Sequence, residues 1–228
     1  MNAPISVIIP TLDAAEKILP TLACLVEGSA EGVIGQVIIA DGGSVDGIAQ
    51  IAEEVGADLI TAKPGRGGQL RAGAAAARGA WLLFIHADTV LEGEWLRAVK
   101  RHLQQHPDKA GHFRIRFDSE RRYARWTEGW TNIRARWFKL PFGDQGLLIS
   151  RALYDEIGGF EDIPLMEDVA MTLSIGRGRL REMPGFAVTD AVRYERDGYW
   201  KRGWRNWGYL TAYRLGVSPQ TLAERYRK

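Results

Sequence analysis

The sequence predicts an α/β fold: a mainly parallel central sheet flanked by helices, followed by a helical C-terminal segment. Two observations carry this. Across residues 1–91, short β-rich apolar runs alternate with helix-like stretches, strand first and strand last. That order builds a parallel sheet with helices on both faces. Three of the four strands also end in polar groups, namely Thr11 with Asp13, Asp41, and His86 with Asp88. They fall at the carboxyl edge, where such sheets bind ligands.

The elements follow in order. Ile5–Ile9 is a continuous apolar run broken by Pro10, as expected of a buried strand. A helix is predicted from Ala14 to Gly28, with Leu19, Leu22, Leu25 and Val26 on its inner face. Val37–Ala40 is a second strand, stopped by Asp41-Gly42-Gly43-Ser44, and Asp46 reads as the N-cap of a helix reaching Val55. Asp58–Thr61 is a third strand. The glycine-rich loop Pro64–Gly68 leads into an Ala-rich helix ending near Arg78, and Trp81–Ile85 is the fourth strand. Beyond Leu91 the pattern is less regular. Helices are expected near 94–106, 121–138, 167–175 and 199–215, with a strand at His112–Phe117 and a turn then strand over Phe142–Ser150. One domain of 228 residues is expected, with a nucleotide-binding half over about 1–91, an acceptor half over about 92–190 and a basic amphipathic tail over about 191–228.

Composition narrows the function classes. Hydrophobic residues make up 46% and charged residues 25%, as in an ordinary globular protein. The lone Cys24 excludes an internal disulfide framework and a Cys-rich zinc site, and suits a reducing cytoplasm. No signal-peptide pattern opens the chain, and no apolar stretch approaches the roughly 20 residues of a membrane span. Residues 1–60 carry Lys17 against nine acids, whereas Arg193–Lys228 carries nine Lys/Arg against three acids. The acidic first half argues against a broad nucleic-acid face. The Trp/Arg-rich tail leaves peripheral contact with a membrane surface open. The tryptophan spacings in 126–137 and 200–207 read as packed helix faces.

Several side chains invite chemistry. Asp41, opening a Gly-Gly turn, could accept hydrogen bonds from a base edge or ribose, or cap its own turn. Asp88 is suited to holding a divalent cation against a diphosphate, because Mg²⁺ and Mn²⁺ take hard oxygen ligands, or to capping a following helix. Gly65–Arg71 could present backbone N–H groups and arginines to phosphate. It lies close to a dinucleotide fingerprint, but Leu70 replaces the third small residue and the loop follows the third strand. The acids Glu167 and Asp168 sit at a predicted helix start beside apolar residues, where desolvation would raise a pKa toward general-base work. Asp144, in Phe142-Gly143-Asp144-Gln145-Gly146, is a second candidate of that type.

The ordered set resembles the inverting glycosyltransferases of family 2, whose fold is GT-A, and in particular a short bacterial subgroup. Ser6–Asp13 is similar to the family's opening strand and Pro-Thr turn, and Asp41–Gly47 to its acidic Gly-Ser turn. Arg71–Gly79 with Trp81–Thr89 resembles its helix, strand and metal motif; Gly158-Gly159-Phe160 followed by Glu167-Asp168 resembles the stretch leading to its base. The resemblance implies a nucleotide-sugar donor, UDP-sugars favoured, and Mg²⁺ or Mn²⁺ as cofactor. It implies that Pro10, Thr11, Asp13 and Asp41 bind the nucleoside, with Gly68, Arg71, His86 and Asp88 completing the donor site. It further implies Asp88 as metal ligand and Asp168 as general base; Asp144, Gln145 and Glu167, read from their own positions, are candidate acceptor-side or catalytic neighbours. The chain departs from the family at His86, which stands where the first acid of Asp-x-Asp is usual. Two other functions compete: a silent nucleotide-sugar binder, and a sugar-phosphate nucleotidylyltransferase, which should carry a glycine-rich basic loop after the first strand. The acceptor expected is a small molecule or a lipid-linked group.

Overall fold

The computed structural model describes residues 4–191 and 199–227, with side chains for all of these except 199–202 and 227. The expected strands form β1 (Ile5–Thr11), β2 (Ile34–Asp41), β3 (Asp58–Thr61) and β4 (Trp81–Phe84). They are joined by helices α1 (Ala15–Ala30), α2 (Ile48–Glu54) and α3 (Arg66–Ala76). Then come β5 (Thr89–Glu92), α4 (Trp95–Gln105), β6 (Ala110–Asp118) and α5 (Arg122–Phe138). A 3-10 turn at Gly143–Gln145 precedes β7 (Leu147–Ser150), α6 (Arg151–Glu156) and α7 (Glu167–Ile175). The chain continues through β8 (Leu180–Asp190), α8 (Tyr199–Arg214) and α9 (Pro219–Arg227).

The eight strands form one sheet in the order β3-β2-β1-β4-β7-β6-β8-β5. β1 pairs in parallel with both β2 and β4, and β2 with β3. β7 runs antiparallel to β4 and β6, β6 and β8 are parallel, and β5 closes the far edge antiparallel to β8. β4 and β5 are separated by four residues of sequence yet by three strands of the sheet. The sheet therefore curls, bringing its far edge back to the end of β4.

Strand alternation divides the apolar residues between two layers. Val7, Ile9, Ile39 and Leu83 meet Ile18 and Leu25 of α1 and Trp95 and Val99 of α4. Ile8, Ile38, Leu82 and Phe84 meet Leu70 and Ala74 of α3, Leu153 of α6 and Met171 of α7. Each fully buried aliphatic side chain contributes roughly 1.5–3 kcal/mol relative to exposure. On α3, Gly73 lets the helix lie against β1, since a Cβ there would meet Cγ2 of Ile8 at 2.5 Å.

Several expectations are corrected. The inner face of α1 is Ile18, Thr21, Leu25 and Gly28, whereas Leu19 and Val26 are exposed. Thr21 is buried because its hydroxyl donates to the Ala87 carbonyl at 2.9 Å. Asp46 does not cap α2, which starts after Gly47 in the left-handed region (φ +84°); its Oδ2 accepts from Ala15 N–H at the start of α1. Gly67 and Gly68 lie inside α3. A Cβ on Gly67 would strike the Glu161 carbonyl, and one on Gly68 would come 2.7 Å from Asp162 Oδ1, so these glycines serve close packing. Strands β5 and β8 were not expected. β8 absorbs Pro184-Gly185 as a bulge, with His112 opposite Glu182 and Arg114 opposite Phe186.

On α5 the inward residues are Ala124, Thr127, Glu128, Arg134 and Ala135, while Trp126, Trp130 and Trp137 are exposed. The packed-face reading of those tryptophans is thereby overturned. Polar side chains of α5 instead complete the open side of β6: Asn132 exchanges two hydrogen bonds with the Ile115 backbone, and Glu128 accepts from Phe117 N–H at 2.7 Å.

Candidate active site

The first cluster sits at the ends of β1 and β2. Thr11 Oγ1 donates to Asp41 Oδ1 at 2.9 Å, and Oδ2 accepts from Gly43 and Ser44 N–H at 2.9 and 2.8 Å. The Ser44 hydroxyl donates to Oδ1 as well. Although burial opposes it, these donors hold the Asp41 carboxyl below the ordinary range. A carboxylate has about four acceptor sites, so here Asp41 is occupied with shaping its own turn. Asp13, exposed and at φ +48°, accepts from Val45 N–H at 3.0 Å and fastens the two strand ends together. Beneath them, buried Gln69 donates to the Thr11 and Ala40 carbonyls at 2.6 and 2.8 Å.

The second cluster lines a cleft of about 170 Å³ beside the end of β4. Ile85 N–H donates to the Ile8 carbonyl at 3.2 Å, extending the β1–β4 ladder. Thr89 N–H then reaches back to the His86 carbonyl at 3.2 Å, a tight turn that leaves half-buried His86 and Asp88 facing the cleft. A strand, not a helix, follows Asp88, so it caps no helix.

Asp144 enters from the 3-10 turn. Gln145 anchors that turn, accepting from Phe142 N–H at 3.2 Å and donating to the Phe113 carbonyl at 3.1 Å. It is wholly buried, so its part is support and not contact with an acceptor. Asp144 Oδ1 is sealed from solvent without a hydrogen-bond partner. Burial, then the charges of Asp168 and Asp88, raise its carboxyl to about 6, against the pull of Arg134 and Arg66.

The start of α7 supplies the third wall. Met166 adopts φ +69° and turns the chain into the helix. Asp168 Oδ2 accepts from Gly143 N–H at 2.9 Å and Oδ1 from Val169 N–H at 2.8 Å. Thr172 bonds both the Pro141 carbonyl (3.1 Å) and the Asp168 carbonyl (2.8 Å), tying α7 to the acid turn. Glu167 is 3% exposed and pairs with Arg66 at 3.3 Å. Burial and the neighbouring Asp168 push its carboxyl up, and Arg66 opposes this.

The structure thus brings together His86, Asp88, Asp144, Glu167 and Asp168 in one cleft. Pro10, Thr11, Asp13 and Asp41 occupy the ends of the neighbouring strands and do not line it. Gly68 is pressed on Asp162, and Arg71 turns to the Phe160 carbonyl at 3.4 Å. Among the basic tail residues, Arg193 and Arg196 fall outside the described residues. Arg205 lies 5.1 Å from the Tyr226 ring centroid. Sequence reasoning missed Asp190, Asn206, Tyr209 and Tyr226, which also line the cleft. Asp190 closes β8, so the strand-end logic applied to β1–β4 would have found it had that strand been recognised.

The family model described as glycosyl transferase family 2 matches residues 6–160, more than half of the chain. A search of the curated proteins finds no match. Among solved structures, the chain superposes on glucosyl-3-phosphoglycerate synthase from Mycobacterium tuberculosis, in complex with Mn²⁺, UDP and glucosyl-3-phosphoglycerate. The TM-score is 0.58 and the identity 18%, covering 82% of this chain and 70% of that one. S. aureus TarS (residues 1–349) gives a TM-score of 0.59 at 18% identity, covering 81% of this chain and 57% of that one. At these identities the likeness shows the fold, and the family model supplies the rest: the chain is a member of glycosyl transferase family 2 with a GT-A fold.

Proposed function

We propose that the chain moves a sugar from a nucleoside diphosphate, UDP in first place, to an acceptor hydroxyl with inversion at the anomeric carbon. The observation that carries this is Asp168, whose two oxygens are fixed by Gly143 and Val169 N–H groups in a cleft it shares with Asp88. Asp168 takes the acceptor proton as the acceptor oxygen bonds to the anomeric carbon. The bond to the diphosphate breaks, and its electron pair leaves on the diphosphate oxygen. Thr11, Asp13 and Asp41 shape the strand-end turns that receive the nucleoside; Arg66, His86 and Asp88 serve the diphosphate side.

A divalent cation fits this cleft. Unpartnered Asp144 Oδ1 lies in a field of acids that Arg66 and Arg134 only partly offset. Among the described residues no three His, Cys, Asp or Glu side chains group to hold a metal. A cation here would be held by Asp88 and otherwise by diphosphate oxygens and water. When bound it would neutralise charge on the departing diphosphate. The M. tuberculosis synthase, crystallised with Mn²⁺ and UDP, supports the same choice here.

Cytoplasmic placement belongs to the same proposal and rests on free Cys24. Among the described residues no helix is long and apolar enough to cross a membrane. The test is a panel of UDP-, GDP- and TDP-sugars with Mn²⁺. Asp168→Asn should bind donor and lose transfer; retained transfer refutes the base assignment. Failure of every nucleotide-sugar to raise Tm with metal refutes the donor site.

A further inference from the structure

We propose that a tryptophan-walled groove between α5 and α8 is the acceptor site and takes an uncharged alcohol with an apolar body. This rests on the glycosyl-transfer reading above. The groove encloses about 500 Å³, roughly three times the acid cleft. Pockets of about 300–1,000 Å³ take organic molecules of drug size, lined mainly by apolar and aromatic groups with few polar ones. Trp126 and Trp130 come from α5, and Trp204 and Trp207 from α8; the Trp130 and Trp207 ring centroids are 5.9 Å apart. Leu210 seats α8 against Leu140 and Val169, which sets the second wall beside the start of α7.

Continuity with the cleft identifies the groove's role. Phe142, Asp144 and Asn206 line both spaces, so the inner end of the groove adjoins the cleft that holds Asp168. A body lying in the groove would therefore present its end to the proposed base. On the outer side of the groove Trp204 is 72% exposed. Large apolar side chains left open around a cavity mark a binding surface.

Two observations fix the chemistry of the occupant. A saccharide acceptor needs hydrogen-bonding groups beside the aromatic faces, and along the groove Thr127 and Arg134 already hold partners within the protein. The Thr127 hydroxyl donates to the Tyr123 carbonyl at 3.0 Å. Arg134 donates to the Leu140 carbonyl at 3.1 Å and stacks 3.3 Å from the Phe142 ring centroid. An apolar body is served instead. At the inner end, Asp88, Asp144, Glu167, Asp168 and Asp190 face the cleft, with Arg66 the Lys/Arg side chain lining it among the described residues. A cation bound with an equally charged diphosphate leaves that balance unchanged. A phosphate-headed molecule would meet like charge, whereas a neutral hydroxyl finds a carboxylate to take its proton.

The test follows intrinsic tryptophan fluorescence while the protein is titrated with butanol, octanol, dodecanol or dodecyl phosphate, with the UDP-plus-Mn²⁺ shift in Tm measured in parallel. Expected is saturable binding that tightens with chain length, with dodecyl phosphate weaker than dodecanol. Thr131→Trp, which fills the groove, should weaken dodecanol at least about tenfold while the UDP shift persists. Trp204→Ser, at an exposed position, should weaken it less. With a donor sugar, the ratio of transfer to dodecanol over donor hydrolysis should fall in the same order. Equal binding of butanol and dodecanol, indifference to both substitutions, or tighter binding of dodecyl phosphate would overturn the proposal. Dodecanol binding without any UDP shift would instead overturn the donor reading and leave the groove standing.

Discussion

Gly143 N–H donates to Asp168 Oδ2 at 2.9 Å, joining the acid-bearing turn before β7 to the first turn of α7. The same glycine faces His86, because a Cβ at position 143 would come 2.8 Å from His86 Nε2. One small residue thus spaces the imidazole from the proposed base. Gly143→Ala should displace the His86 ring and lower kcat about tenfold, a barrier change of about 1.4 kcal/mol. Steady-state donor turnover measures this. Unchanged kcat would mean that the position of His86 is immaterial.

Asp168→Asn keeps an oxygen for the Gly143 N–H and removes the basic site. General-base removal costs on the order of 10²–10⁴ in rate. UDP affinity should hold within about twofold, since binding and proton transfer use different atoms. Isothermal titration beside turnover separates the two effects.

Asp88→Ala should leave UDP bound weakly and without dependence on Mn²⁺, as expected of a site whose cation takes one or two carboxylates plus phosphate oxygens. Mn²⁺ binding in the presence of UDP, followed by electron paramagnetic resonance, reads this without any turnover. If Mn²⁺ still binds with UDP, Asp88 is not the ligand.

Asp144 gives a pH signature. Its folded carboxyl is raised to about 6 from 3.8, so the native state holds its proton where the unfolded chain has lost it. The group's contribution to stability is present in acid and declines as pH rises toward 6. Asp144→Asn should therefore exceed the wild type by on the order of 3 kcal/mol at pH 8, and match it below about pH 4. Urea denaturation at the two pH values measures the gap.

His112 works in the opposite direction. It is wholly buried in β6 and depressed to about 4 by burial, with Nε2 unpartnered. Between about 6.5 and 4 the unfolded chain takes up a proton that the native state refuses, so stability falls as pH falls through that window. The loss from this residue is at most about 3 kcal/mol. His112→Leu should flatten that acid limb in thermal melts.

The parallel strands were legible because β1 to β4 are apolar runs ending in polar residues, a pattern that burial on both faces imposes locally. Asp88, Asp144 and Asp168, which share the cleft, drew notice in the sequence as acids at the ends of elements. The inner face of α1 was misread because tertiary contacts decide it. Thr21 is buried for its bond to Ala87 and Gly28 for close approach to Ile34, while Leu19 and Val26 remain in solvent. Gly67 and Gly68 resembled a phosphate loop, yet their reason lies almost a hundred residues away at Glu161–Ile163. Asp190 was hidden because Pro184-Gly185 interrupts the alternation that would have announced β8.

The curled sheet also sets an order of assembly. β1 to β4 and their helices lie within the first 84 residues and pair among themselves, so they hold the material of a core. β5 has to wait, for Thr89 pairs with Thr189, and loop closure of that span is slow. On the ribosome, β5 stays unpaired until β8 emerges. Asp190 joins Asp88 only then, and Asn206, Tyr209 and Tyr226 follow later still, so a nascent chain carries the strand-end acids well before the cleft around them has its walls.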